Sequence, residues 1–149
     1  MIFYYGLGGG LGHVTRAQAV LYTLELMDPV TLLLSSSWPD ERLPLSEQIY
    51  QLRVPPTHSG SASALRAWLS AHFDRYTYHL IIIDAFPGGL LGELCDLEFP
   101  HDVPILHFAR SLRWKSYSVR LSGHLPRFNQ TFHLEELSAI HGEALEAIS

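Results

Sequence analysis

The chain opens on an unbroken apolar run, Ile2-Phe3-Tyr4-Tyr5, that extends to Leu7. Apolarity without alternation marks a strand covered on both faces, as central parallel strands are. From His13 to Met27, the residues Val14, Ala17, Leu21 and Leu24 recur at helical spacing, which predicts an amphipathic helix stopped by Asp28-Pro29. Val30 to Leu34 repeats the strand pattern, and Ser35 to Ser46, with Pro39 and Pro44, reads as a polar loop. Ile49 to Val54 has the length of a short third strand, closed by Pro55-Pro56. After the flexible stretch His58 to Ser63, a second helix runs to about Tyr76 with Leu65, Trp68, Leu69 and Phe73 inward. Leu80-Ile81-Ile82-Ile83 is the clearest buried strand, and Asp84 stands at its carboxyl end. A short helix is expected near Leu90 to Leu97, and a strand from Pro104 to Ala109. Arg110 to Asn129 has no clean period. Phe132 to Leu134 reads as a last short strand, and Leu137 to Ile148 as a final helix with Ile140, Leu145 and Ile148 inward. This alternation predicts one α/β domain over residues 1–149: three layers, a mostly parallel sheet, right-handed crossovers, and strands one and four adjacent at its centre.

Composition changes that picture little. With 149 residues, 47% hydrophobic and 17% charged, the chain is long enough for a real core. A net charge of −5 argues against a general nucleic-acid binder. The single cysteine, Cys95, excludes an internal disulfide framework and reads as core in an apolar helical stretch. No basic leader precedes Ile2 and no apolar run is long enough to span a bilayer, so a cytoplasmic protein is expected.

The chemistry gathers at Gly6-Leu7-Gly8-Gly9-Gly10-Leu11-Gly12-His13-Val14-Thr15-Arg16, between the first strand and the first helix. Strand, glycine loop and helix begin a Rossmann-like βαβ unit, whose helix N-terminus favours negative charge. As a dinucleotide fingerprint the loop fails, because G-x-G-x-x-G places Leu11 or His13 at the third glycine, and the second strand ends in Ser35-Ser36-Ser37 rather than an acid. It has no Walker lysine either. In an open parallel sheet, ligands sit beyond the carboxyl ends of the strands. His13 and Asp84 are both placed there. A carboxylate on one imidazole nitrogen fixes the tautomer and leaves the other nitrogen to take a hydroxyl proton. The plainer alternative is that His13 caps the helix and Asp84 accepts loop N–H groups.

The run from Gly8 to Arg16 resembles the glycine-rich start of GT-B glycosyltransferases, which include the lipid-linked N-acetylglucosamine transferases and the UDP-glycosyltransferases. Asp84-Ala85-Phe86 is similar to the Asp-Ala-Phe of the plant UDP-glycosyltransferases, and Pro87 to Leu94 resembles bacterial members. The resemblance implies an inverting transfer from a nucleotide-sugar donor, with His13 as general base and Asp84 as its orienting partner. Gly8, Gly9, Gly10 and Gly12, with Thr15, Arg16, Phe86 and Arg110, would contact the sugar acceptor or a diphosphate. Such enzymes carry a second Rossmann-like domain for the donor, which this chain does not supply. The chain then corresponds to the acceptor-binding half, as a fragment, a truncated product or one subunit of a split enzyme. No Asp-x-Asp occurs, so no metal and no cofactor are expected.

The basic cluster Arg110, Arg113, Lys115, Arg120 and Arg127, half of the ten basic residues, offers a contact for an anionic acceptor or a membrane surface. A solvated face is the plainer account. Glu93 is explained as a carboxylate in a first helical turn. The aromatic loops near Trp38, Phe86-Pro87 and Trp114-Tyr117 are expected to be exposed, as a face for the donor half. The rival readings are a non-catalytic Rossmann-like binding module and a nucleotide-dependent oxidoreductase. The missing third glycine and the missing ribose acid disfavour the latter.

Overall fold

A computed structural model describes residues 1–8, 12–35 and 46–147. The expectations placed on Gly9, Gly10, Trp38, Ile148 and the polar loop after Ser35 lie outside the described residues. In chain order the elements are β1 (Ile2–Tyr5), α1 (Gly12–Thr23), β2 (Val30–Leu34), β3 (Ile49–Arg53), α2 (Ala62–Phe73), β4 (Leu80–Ala85), β5 (Ile105–Ala109), α3 (Trp114–Ser118), β6 (Gln130–His133) and α4 (Ala139–Glu146). The six strands form one sheet in the order β3-β2-β1-β4-β5-β6, and every neighbouring pair is parallel. This is the Rossmann-like arrangement that the alternation of elements implies, with β1 and β4 side by side at its centre.

Alternation along the strands sorts the core into two layers. Ile2 and Tyr4 pack with Val14, Ala17 and Leu21 of α1, together with Val30, Leu32, Leu34 and Ile82. Phe3 and Tyr5 pack on the other face with Leu65, Leu69 and Phe73 of α2, and with Ile81 and Ile83. Every residue of β1 and β2 is buried, whereas the edge strands β3 and β6 are only partly covered. Ser61 caps α2 by accepting the Ala64 N–H at 3.3 Å. Cys95 is fully buried, and burial pushes its thiol upward, as a core residue's would be.

Four expectations are corrected. The first helix ends at Thr23, because Glu25 turns into the left-handed region (φ 51) and closes the last turn; Leu24 is therefore exposed. The segment Leu90 to Leu97 forms turns rather than a helix. Gly89 (φ 85), Gly92 (φ 91) and Asp96 (φ 53) all have left-handed backbones, which a right-handed helix does not admit. In α4 the inner face is His141 and Leu145 at helical spacing, which turns Ile140 outward. The two described aromatic loops are not an exposed aromatic face: Tyr117 and Pro87 are buried, and Phe86 and Trp114 are half-buried. The exposed apolar residues include Tyr22, Leu24 and Met27, at the far end of α1.

Candidate functional site

Parallel register sets Tyr5 beside Ile83, so the chain leaves β1 for the glycine loop next to Asp84. Asp84 shares its face with Ile82, the face that α1 covers, and is fully buried. Two side chains from the first turn of α1, three residues apart on one helix face, reach it. His13 Nδ1 lies 2.9 Å from Asp84 Oδ2, and Arg16 Nε donates to Asp84 Oδ1 at 2.8 Å. A carboxylate only accepts, so His13 Nδ1 donates to it, and in the neutral ring the lone pair then lies on Nε2. Arg16 Nη2, 3.3 Å from the same Nδ1, then finds no lone pair there and contributes charge rather than a hydrogen bond. His13 and Arg16 keep 14% and 16% of their side chains exposed, enough to meet a ligand in the crevice.

The imidazole is held on two further sides. The Phe86 ring lies against it at 5.9 Å and 25°. Its Nε2 edge lies over Gly8, where a Cβ would stand 1.9 Å from Nε2. The missing side chain of Gly8 therefore makes room for His13, not for a ligand diphosphate. Gly12 has open space by comparison, its nearest neighbour being Arg16 Nη1 at 3.9 Å from such a Cβ.

The structure thus brings together His13, Asp84, Arg16, Phe86 and Gly8. It does not add Arg110, which follows β5 and is bound to Glu135 at 2.6 Å; that bond holds the Glu135 carboxyl below its usual range. Thr15 is exposed on α1. Among the described residues, no group of three or more His, Cys, Asp or Glu converges on a metal site. No described helix is long and apolar enough to cross a membrane.

Sequence reasoning missed the support beneath the loop. Glu93 is not a surface carboxylate at a helix start but fully buried. It accepts the Tyr5 hydroxyl proton on Oε1 and the Leu91 N–H on Oε2 at 2.7 Å. The Tyr5 hydroxyl in turn accepts the Leu90 N–H at 2.7 Å. Burial first, and then the charge of Glu93, push the Tyr5 phenol well above its ordinary range, so Tyr5 acts as a fixed donor. Arg66 adds bonds to the carbonyls of Glu93 (3.2 Å) and Gly92 (3.3 Å). The one available signal was a tyrosine ending a strand with no charged residue, together with a glutamate directly after a glycine. Tyr4 also went unnoticed. Its buried hydroxyl has no hydrogen-bond partner among the described residues, and burial followed by the Asp84 charge push it upward.

A cavity of about 590 Å³ lies at the opposite edge of the sheet, lined by residues such as Leu21, Tyr22, Leu26 and Ile49. Among the described residues that line it, Glu25 is the one carboxylate. The His13–Asp84 pair lies at the other, carboxyl edge. No protein-family model, no curated protein and no solved structure matches the chain.

Proposed function

We propose that the chain is the acceptor-binding half of an inverting, metal-independent glycosyltransferase that takes its sugar from a nucleotide-sugar donor. The observation that carries this reading is the 2.9 Å bond from His13 Nδ1 to Asp84, at the sheet edge where open parallel folds bind ligands. It leaves Nε2 as a base in a part-buried crevice. An acceptor hydroxyl would donate to Nε2. As its oxygen bonds to the anomeric carbon, the bond from that carbon to the diphosphate oxygen breaks on the opposite face. The proton passes to Nε2, the electron pair leaves with the nucleotide diphosphate, and Asp84 stabilises the imidazolium. Arg16, on the other carboxylate oxygen, holds the plane of Asp84. The donor is bound by a second Rossmann-like domain or a partner chain.

One observation favours a second reading, a binding module without turnover: Arg16 alone already pairs with Asp84 at 2.8 Å. Two measurements separate the readings. Titration calorimetry of this chain with UDP and UDP-sugars should show no tight binding, and micromolar affinity would refute the split-half assignment. Together with the donor-binding half, His13→Ala should lower kcat roughly 10²–10⁴-fold. A near-wild-type kcat would leave His13 a structural residue.

A further inference from the structure

The turn that follows Asp84 is strained. Ala85 has φ 67, and the Phe86 N–H donates to the Asp84 carbonyl at 2.8 Å. A hydrogen bond across three residues with a positive-φ centre is a γ-turn of the uncommon, strained kind. A non-glycine residue in that region costs on the order of 1–3 kcal/mol and persists only where its surroundings over-determine it.

Those surroundings are present. His107, fully buried on β5, places Nε2 3.4 Å from the Ala85 carbonyl. The Tyr117 hydroxyl accepts the Gly88 N–H and donates to the Gly89 carbonyl, both at 2.9 Å. Leu90 and Leu91 are tied down by Tyr5 and Glu93. A loop fixed at these points can hold a strained residue in place.

What the strain achieves is the position of one ring. Phe86 lies between the His13 imidazole, at 5.9 Å and 25°, and Tyr117, at 5.5 Å and 47°. The bond to Asp84 fixes one atom of His13 but leaves the ring free to turn about that contact. A flat partner on the ring face removes that freedom.

We propose that Phe86, aimed by the γ-turn at Ala85 and backed by Tyr117, is a positioning residue that fixes the plane of the His13 imidazole and hence the direction of Nε2. Its purpose rests on the general-base reading of His13, but its test needs no substrate. In ¹H–¹⁵N spectra of the whole chain near neutral pH, His13 should show one hydrogen-bonded Nδ1–H resonance. Nuclear Overhauser contacts should run from its ring protons to Gly8 Hα and to Phe86. Phe86→Leu should lose the Nδ1–H resonance and the Gly8 contact while the remaining backbone spectrum stays that of the wild type. Phe86→Tyr should restore both. If Phe86→Leu fails to fold, Tyr117→Phe keeps the ring but removes the bonds to Gly88 and Gly89, and should weaken the Phe86–His13 contact. Retention of the Nδ1–H resonance and the Gly8 contact in Phe86→Leu, or, where that variant does not fold, an unchanged Phe86–His13 contact in Tyr117→Phe, would overturn the proposal. In the assembled enzyme, Phe86→Leu should lower kcat more than it changes KM. Absence of any transfer by the wild-type assembly would instead overturn the functional reading and leave the spectroscopic result standing.

Discussion

Gly8→Ala is the smallest change that should dismantle the site. A Cβ there would lie 1.9 Å from His13 Nε2, 2.3 Å from Cδ2 and 2.8 Å from Cε1, so it meets an entire ring edge rather than one flexible atom. Ordinary contact begins near 3.4 Å, so the imidazole must retreat by about 1.5 Å. The 2.9 Å bond to Asp84 tolerates only a few tenths of an ångström before it lengthens past useful geometry. The ring cannot both yield to the methyl group and keep its carboxylate. Losing a hydrogen bond to a charged, buried group costs roughly 1.5–3 kcal/mol, tempered here because Arg16 still pairs with Asp84. For a domain of this size that lowers Tm by roughly 3–12 °C. On the proposed general-base reading, loss of the aligned imidazole should also lower kcat of the assembled protein by roughly 10²–10⁴-fold. Gly12→Ala is the matched packing control, with 3.9 Å of clearance, and should leave Tm unchanged. The assays are thermal unfolding and steady-state kinetics. A Gly8→Ala protein with wild-type Tm and kcat would refute the packing of His13 over Gly8, and the dyad geometry with it.

Asp84→Asn should lower kcat more than it alters acceptor KM, because it changes the tautomer and charge support of His13 while leaving the crevice wall in place; equal losses in both would point to a binding role instead. Ala85→Gly should raise Tm by a few degrees or leave it level, since relief of a strain of roughly 1 kcal/mol or more is set against the added chain entropy of glycine; a clear fall in Tm would show that the turn is not strained. Glu93→Gln should lower Tm by several degrees, because an amide cannot serve as acceptor on both sides for the Tyr5 hydroxyl and the Leu91 N–H; unchanged melting would deny the buried knot its role. Acid should destabilise the fold well above the carboxylate range. Burial lowers His107 from 6.5 to about 4. Between those values the unfolded chain binds the extra proton, so stability is full above about pH 6.5 and falls as the pH drops toward 4. At pH 5 the loss is roughly 2 kcal/mol relative to pH 7. His141, also lowered by burial, adds in the same direction. Urea midpoints at the two pH values measure it, and a His107→Leu protein that folds should show a shallower dependence; an identical slope would assign the effect elsewhere.

The parts of this molecule that the sequence made legible are those governed by period and by strand ends. Near-continuous apolar runs identified β1, β2 and β4, since a strand buried on both faces has little place for polar residues. The placement of Asp84 followed from its position at the carboxyl end of such a strand, and that of His13 from the start of the helix beyond the loop. Their meeting across 71 residues needed only that strands one and four be neighbours. The phase of α4 was misread because His141 looked polar by type, yet it is buried, has no partner for either ring nitrogen among the described residues, and stacks on Trp114 at 4.5 Å. A polar residue on an inner face defeats a rule that counts apolar ones. The segment from Leu90 to Leu97 was misread for a different reason. Its conformation is set by left-handed residues and by bonds to Tyr5, 85 residues away from Leu90 in the chain, so neither period nor propensity reports it. Gly8 carries the same lesson at the site itself. A glycine-rich loop beside a helix start suggests room for a phosphate, whereas the space left by Gly8 is taken by an imidazole five residues later. What a glycine makes room for is decided by what folds back onto it. Here the same side chain that fills the space also reaches Asp84, so Gly8 and Asp84 constrain His13 from opposite sides of its ring.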